Sequence, residues 1–319
     1  MRTVLVTGAS GLLGRQVLKT FQLDGFNAVG TALNRVSPPS IVKLDILDTE
    51  AIENVLNDVK PDVVVHCVAN RFPDSCSADP EAAHKLNAAA TKALASATFS
   101  RDIFLIYIST DYVFSGRPGE APYKVDSATD PPNVYGQTKR EGEKAVLDVT
   151  RKSGNRVLGV VLRIPILYGP CDEPSESAVN SLMTHVWESQ NIKQPTSKIK
   201  VDDYAQRYPT NTEDVARVCR DISALYFRDQ ASNYSLPPIL QFSSEDKMTK
   251  WGICKVFSEI LGLPLDGMEP HKPAENDKAA VKRPYDCHLD TSTLRELGVN
   301  LQTTDFKTWW RMETRAFRH

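Results

Sequence analysis

The 319-residue sequence contains no apolar run approaching the roughly 18 to 20 residues that a membrane-spanning helix needs. It has no Cys-x-x-Cys pair and no cysteine and histidine cluster at zinc spacing. Its six scattered cysteines (Cys67, Cys76, Cys171, Cys219, Cys254, Cys287) therefore read as reduced thiols with structural roles, and no metal site is expected. Neither sign of charge is in excess, with 38 Lys and Arg against 40 Asp and Glu and a formal net charge of -2. Such a balance provides no basic stripe for nucleic acid and no polycationic face for a membrane. The chain starts at Met1-Arg2 and passes straight into the strand-like Thr3-Val4-Leu5-Val6, so a cytoplasmic protein is expected. No internal repeat is visible.

What is present is an alternation of β-branched apolar runs with longer amphipathic stretches through residue 169, the pattern of βαβ units around a parallel sheet. Strands are expected at 3–7, 28–33, 41–45, 62–68, 104–109 and 157–162, and helices at 11–23, 49–59, 80–98 and 133–152. After Gly169 the prolines at 170, 174, 195 and 209 and the polar stretch 189–203 break the pattern up. A helix is expected at 211–227 with Asn211 or Thr212 as N-cap, then a strand at 239–243, a helix at 250–261 capped by Thr249, and a short helix near 291–297. The expected fold is thus α/β: a Rossmann-type doubly wound parallel sheet over residues 1–169, with a smaller, loop-rich substrate-type domain over 170–319. Residues 211–243 are expected to pack back on the first domain.

The segment TGASGLLG follows the first strand and opens the first helix, placing Gly8, Gly11 and Gly14 three residues apart. Glycines there let the backbone approach a pyrophosphate, and the helix N-terminus points free N–H groups at the anion. A dinucleotide follows, the competing reading being a plain tight turn. NAD-preferring sites usually end the second strand with an acid, but no Asp or Glu lies between Phe26 and Leu44, where Asn34 and Arg35 stand instead. That favours the 2'-phosphate of NADP, unless Arg35 is a solvated loop charge. Asp45 closes the third strand, where its carboxylate could accept from an adenine amino group or cap a nearby helix.

Tyr135 and Lys139, in VYGQTK, lie four residues apart and share a helix face. A nearby ammonium favours the phenolate, and a tyrosine so placed can protonate a carbonyl oxygen. The pair alone is weak evidence; its weight comes from order, since a glycine turn and then the strand end YISTDYVFSG precede it.

Together these residues resemble the extended short-chain dehydrogenase/reductase superfamily, and STDYVFSG with NVYGQTK is similar to the relatives of dTDP-4-dehydrorhamnose reductase. That resemblance implies Thr110 as the catalytic hydroxyl, Tyr135 as proton donor and Lys139 as the lysine that also holds the nicotinamide ribose. It implies a cofactor site made of Thr7, Gly8, Ser10, Gly11, Leu12, Leu13, Gly14, Asn34, Arg35, Asp45, Ile46, Val68, Ala69, Tyr135, Lys139 and Arg163.

The sequence departs from the reductases after Arg163, where Ile164, Pro165 and Ile166 replace the family's Thr-Ser-Trp, and in HCVANRFPD, which brings Arg71 and Asp74 toward the pocket. The segments VVHCVANRFPD, FLIYISTDYVF, LRIPILYG, ESAV, QRYPT and KRPYDCHLD resemble the family of regulatory beta subunits of methionine adenosyltransferase, over essentially the whole chain. This implies a non-catalytic NADP-binding protein that associates with a methionine adenosyltransferase catalytic subunit through a tail, residues 312–319, with Arg315, Phe317, Arg318 and His319 as contacts. A frayed terminus is the competing reading of that tail. A working NADPH-dependent reductase of a nucleotide-sugar ketone and a redox-sensing adaptor remain open beside the regulatory reading, because a fold does not settle function.

Overall fold

The computed structural model describes residues 1–152, 158–192, 194, 197–229, 237–272 and 281–316. Strand β1 (Thr3–Thr7) leads into helix α1 (Leu12–Leu23), followed by β2 (Asn27–Ala32), β3 (Ile41–Lys43), α2 (Thr49–Val59) and β4 (Val63–His66). Helices α3 (Pro73–Ala78), α4 (Pro80–His84) and α5 (Ala90–Phe99) precede β5 (Phe104–Thr110), α6 (Val134–Lys152) and β6 (Gly159–Ile164). Then come β7 (Leu167–Tyr168), α7 (Asn180–Ser189), β8 (Ile199–Asp202), β9 (Thr210–Asn211), α8 (Thr212–Asp229) and β10 (Ile239–Gln241). Helix α9 (Lys250–Leu261), β11 (Met268–His271), α10 (Ser292–Glu296) and α11 (Phe306–Glu313) complete the order.

Seven of the described strands form one sheet in the order β10-β6-β5-β4-β1-β2-β3, and every pairing in it is parallel. The expected Rossmann-type sheet is therefore present. Its strands are apolar at nearly every position because both faces are covered. Val4 and Val6 face one layer, packing with Val63, Val65, Phe21 of α1 and Val215 and Ile222 of α8, while Leu5, Val64 and Leu105 face the other with Ile52, Leu56 and Leu94. The strand order reverses between β1 and β4, so ligands are expected in the crevice at the carboxyl ends of those strands.

Helix α8 packs on α1, and β10 pairs with β6, which brings later chain back onto the sheet. A third cluster, Tyr168, Val179, Leu182, Val186, Phe257, Phe306 and Trp310, forms the core of the smaller part of the molecule.

Two of its helices lie where sequence reasoning expected irregular chain. Helix α7 forms because Pro170 and Pro174 precede it rather than interrupt it; Ser177 accepts from the Val179 and Asn180 amides at its start, and Leu182 and Val186 bury one face. Helix α11 begins at Asp305, whose carboxylate accepts from the Thr308 amide at 2.7 Å, and buries Phe306 and Trp310 four residues apart. Met312 and Glu313 belong to this helix, and the chain leaves it at Thr314. The stretch 80–98, expected as one helix, carries a π turn at Lys85–Ala89. That turn presents buried Asn87, whose side chain accepts from the Asn70 amide at 2.8 Å and donates to the Asn70 carbonyl at 2.9 Å, pinning the loop after β4.

Candidate functional site

A cavity of about 700 Å³ opens at the carboxyl ends of β1, β2, β4 and β5 and extends toward the smaller core. Its first wall is the glycine turn. Gly8 has φ +69°, a conformation that L side chains rarely adopt, and a Cβ on Gly14 would stand 2.1 Å from the Gly8 carbonyl oxygen. The Gly11 amide donates to that carbonyl at 2.9 Å, and Gly11 caps α1 without a side chain, so the first amides of the helix face the cavity unobstructed. Gly8, Ser10, Gly11, Leu12, Leu13 and Gly14 all line it, as do Arg35, Asp45, Ile46, Val68 and Ala69.

Thr110, Tyr135 and Lys139 meet on the wall beneath this turn. Thr110 ends β5; its hydroxyl donates to Asp111 at 3.0 Å and accepts from the Tyr112 amide at 3.2 Å. Tyr135 lies edge-on to Tyr112 with ring centroids 5.9 Å apart, and burial pushes its pKa above the usual range. Lys139 is 3% exposed, donates to the Ile108 carbonyl at 2.7 Å and holds its ammonium 4.1 Å from the Tyr107 ring centroid. Burial pushes its pKa down to about 7, opposed mainly by Glu143. The one-turn spacing seen in the sequence thus becomes a phenol and an ammonium on a single surface, as an acid and its electrostatic partner require.

Charged side chains bridge the cavity mouth. Arg15 of α1 donates to Glu176 at 2.6 Å, to Asp172 at 3.0 Å and to the Ser10 carbonyl at 2.8 Å. Arg35 donates to Asp172 at 3.0 Å, to the Ser10 carbonyl at 2.6 Å and to Glu176. The Arg71 guanidinium reaches the Glu176 carbonyl. The segment between β7 and α7 is thereby tied to the glycine turn.

Three expected cofactor contacts are placed elsewhere. Thr7 is fully buried behind the turn, sharing a 2.7 Å hydrogen bond with His66 Nδ1. Because the Thr91 hydroxyl donates to Asn87, His66 Nε2 donates to Thr91 and Nδ1 accepts from Thr7. Asn34 is exposed and off the cavity wall. Arg163 lies beneath the floor, clamped by Glu143 through two hydrogen bonds at 2.9 and 2.8 Å and donating to Val125 and Gln241. Its donors are directed into the scaffold. Asp45 takes the Leu47 amide at 2.9 Å while lining the cavity, and the cap of α2 falls to Asp48 instead. Arg71 and Asp74 do line the cavity. Of the tail residues, Arg315 is exposed with φ +54°, and Phe317, Arg318 and His319 lie outside the described residues.

Sequence reasoning did not foresee Glu176 on the cavity wall with Arg15 and Asp172 bonded beside it, nor Arg207, Lys250 and Arg283 on the far wall. The signal lay in ESAV, QRYPT and KRPYDCHLD, charged segments with no role in the dehydrogenase pattern that supply Glu176, Arg207 and Arg283. All six cysteines are free, no cluster of metal-ligating side chains occurs among the described residues, and none of their helices is long and apolar enough to cross a membrane.

Residues 1–312 match the family described as RmlD substrate binding domain. The sequence is 37% identical over 307 residues to methionine adenosyltransferase 2 subunit beta of Mus musculus, covering 96% of this chain and 85% of that protein. It is 38% identical over 320 residues to the protein of the same name from Danio rerio, covering 100% and 92%. Among solved structures, dTDP-4-dehydrorhamnose reductase from Bacillus anthracis in complex with NADP superposes with a TM-score of 0.77 at 22% identity, over 97% of this chain and 96% of that one.

Proposed function

From a chain that belongs to the RmlD substrate binding domain family and, within it, to the methionine adenosyltransferase 2 beta subunits, we propose an NADP-binding regulatory subunit of a methionine adenosyltransferase. The observation that carries this reading is the near-full-length identity to proteins of that name, which extends through segments outside the dehydrogenase pattern. The cavity suits the cofactor. The glycine turn and the α1 N-terminus would hold the diphosphate, Arg35 the 2'-phosphate, and Tyr135 with Lys139 the nicotinamide ribose. NADPH, when bound, is a hydride donor; in a regulatory subunit it is a structural ligand that joins the walls of the cavity.

The partner is a methionine adenosyltransferase catalytic subunit, engaged in part by the residues beyond helix α11. Calorimetric titration of the full chain against the organism's catalytic subunit tests this, beside a chain ending at Ala316, which keeps α11 and the Ala316 contact with the smaller core. Binding that weakens on truncation supports both subunit and tail. Binding that survives it keeps the partner and removes the tail's role, and no binding overturns the reading.

A second reading, an NADPH-dependent reductase of a nucleotide-sugar ketone, rests on Thr110, Tyr135 and Lys139 sharing one wall. It requires NADPH oxidation with dTDP-4-dehydrorhamnose, lost in Tyr135→Phe.

A further inference from the structure

The Lys139 ammonium is almost out of water, and among the described residues no carboxylate forms an ion pair with it. Its Nζ donates to the Ile108 carbonyl at 2.7 Å and lies 4.1 Å over the Tyr107 ring centroid. Glu143 stands one turn further along α6, but Arg163 takes its two oxygens at 2.9 and 2.8 Å and the Ser109 hydroxyl donates to it at 2.6 Å. A buried ammonium needs a compensating partner to keep its charge, and the face of an aromatic ring is one.

Tyr107 is built into the fold at that place. It is fully buried in β5, and the His66 ring stacks against it with centroids 5.8 Å apart. Its hydroxyl reaches the Lys139 carbonyl at 3.4 Å and the Asn87 carbonyl at 3.5 Å. A Cβ on Gly142 would stand 2.3 Å from the same hydroxyl oxygen. A glycine inside a helix costs about 1 kcal/mol against alanine, and α6 carries one where the phenol meets it. The helix that bears Lys139 is therefore seated on the ring that its ammonium covers.

We propose that Tyr107 is a positioning residue, whose ring face holds the Lys139 ammonium in place and charged on the wall where the nicotinamide ribose binds. The inference rests on the reading that Lys139 holds that ribose. It adds the strand residue on which this hold depends, one that touches no part of the cofactor.

The test titrates the full chain, Tyr107→Phe and Tyr107→Leu with NADPH at pH 8 and at pH 6. Tyr107→Phe keeps the ring and should bind within about threefold of the parent at both values. Tyr107→Leu should bind about tenfold more weakly at pH 8, with the gap closing to about twofold at pH 6. The sign follows from Lys139, whose pKa burial pushes down to about 7: loss of the ring lowers it further, and acid restores the charge. The groups around Lys139 hold still in this window. Burial pushes His66 of β4 down to about 3, Cys67 after β4 up to about 12, Cys76 of α3 up to about 11, and Tyr135 of α6 above its usual range, while Glu143 stays clamped by Arg163. The 2'-phosphate titrates near pH 6 in every variant alike and cancels in the comparison with the parent.

An equal loss at both pH values would reduce Tyr107 to packing, and Tyr107→Phe as weak as Tyr107→Leu would assign the role to the hydroxyl; either overturns the proposal, as does unchanged binding in Tyr107→Leu. If Tyr107→Leu does not fold, a ring-fluorinated phenylalanine at position 107 replaces it, since fluorine drains the charge of the ring face with little change of shape, and the same gap against Tyr107→Phe is expected. Failure of the parent to bind NADPH would instead strike the cofactor reading. Isotope-labelled lysine NMR on the unloaded chain would then decide: the resonance missing in Lys139→Met should titrate at lower pH in Tyr107→Leu than in Tyr107→Phe, and coincident titrations would overturn the role of the ring.

Discussion

At the glycine-turn end of the cavity, Arg15 and Arg35 direct their donors to Asp172, Glu176 and the Ser10 carbonyl, whereas at the opposite end Arg207 keeps one nitrogen without an acceptor among the described residues. The two ends also differ in exposure, since Arg35 is half exposed and Arg207 is sealed. An anion arriving at the first end must displace the exposed Asp172 and the largely buried Glu176. Arg207 instead carries a desolvation cost incurred in folding, and the nearby Asp111 and Asp202 offset its charge. The same residue type is thus tied to side-chain carboxylates at the cavity rim at one end and to buried backbone carbonyls at the other.

Arg163 sharpens this contrast and should give the largest effect. It is as deeply buried as Arg207, yet Glu143, Gln241 and the Val125 carbonyl engage its donors, and the Ser109 hydroxyl donates to Glu143 as well. Removing one member of such a pair leaves an uncompensated buried charge. Arg163→Met should therefore lower unfolding free energy by about 3 to 5 kcal/mol in urea, whereas Arg207→Met in the ligand-free chain should change it far less. Equal losses in the two variants would mean that Arg207 is as fully satisfied as Arg163, and the contrast between the ends would fall.

A smaller effect is expected at the mouth. The acids Asp172 and Glu176 hold the arginine on which the 2'-phosphate of NADP would sit. The single substitution Asp172→Asn should tighten NADP by up to roughly fivefold, since the exposed Arg35–Asp172 pair contributes about 1 kcal/mol or less, and leave NAD unchanged because NAD carries no 2'-phosphate. Weaker NADP binding would show that Asp172 aims Arg35 rather than competes for it. A parallel change in NAD would place its effect at the diphosphate instead.

The features read correctly from the sequence were those governed by local periodicity. Helices α2 and α9 have the expected bounds, and the sheet strands shared with the expectation differ by a few residues at their ends, because apolar β runs, an Asp48 or Thr249 cap and a glycine turn are written in contiguous residues. The glycine turn and the Thr110, Tyr135 and Lys139 wall were legible for the same reason. Two helices were hidden by composition: prolines before α7 resembled prolines within a loop, and the Trp and Arg of α11 resembled a tail. The charged groups at both ends were hidden by distance, since Arg35 meets Glu176 across 141 positions and Arg207 meets Pro284 across 77. Nothing in one sequence states such separations. Arg163 was misplaced for a related reason: its position at a strand end suggests the cavity, and only the fold shows Glu143 of α6 clamping it from beneath.

The smallest expected effect tests whether the wall between the two ends feels the dinucleotide. Burial, opposed mainly by Glu143, puts the Lys139 pKa at about 7, below its usual 10.5. A lysine depressed in the folded state costs stability in full below pH 7, and that cost is relieved as pH rises from about 7 to 10.5, because the unfolded chain holds the extra proton across that window. Bound NADPH, whose dihydronicotinamide is neutral and whose phosphates are anionic, brings net negative charge toward the ammonium and raises its pKa again. Near pH 8, binding should therefore take up part of a proton, and NADPH affinity should fall with rising pH by less than about tenfold per unit. Neighbouring groups do not obscure the reading: burial pushes His66 down to about 3 and pushes Cys67 up to about 12 and Cys76 to about 11, while Asp111, pushed up to about 6, has largely ionised by pH 8. Calorimetry in two buffers of different ionisation enthalpy measures the uptake, and Lys139→Met should abolish it. Uptake that persists in Lys139→Met would assign the proton to the cofactor or to another group, and would detach Lys139 from the dinucleotide.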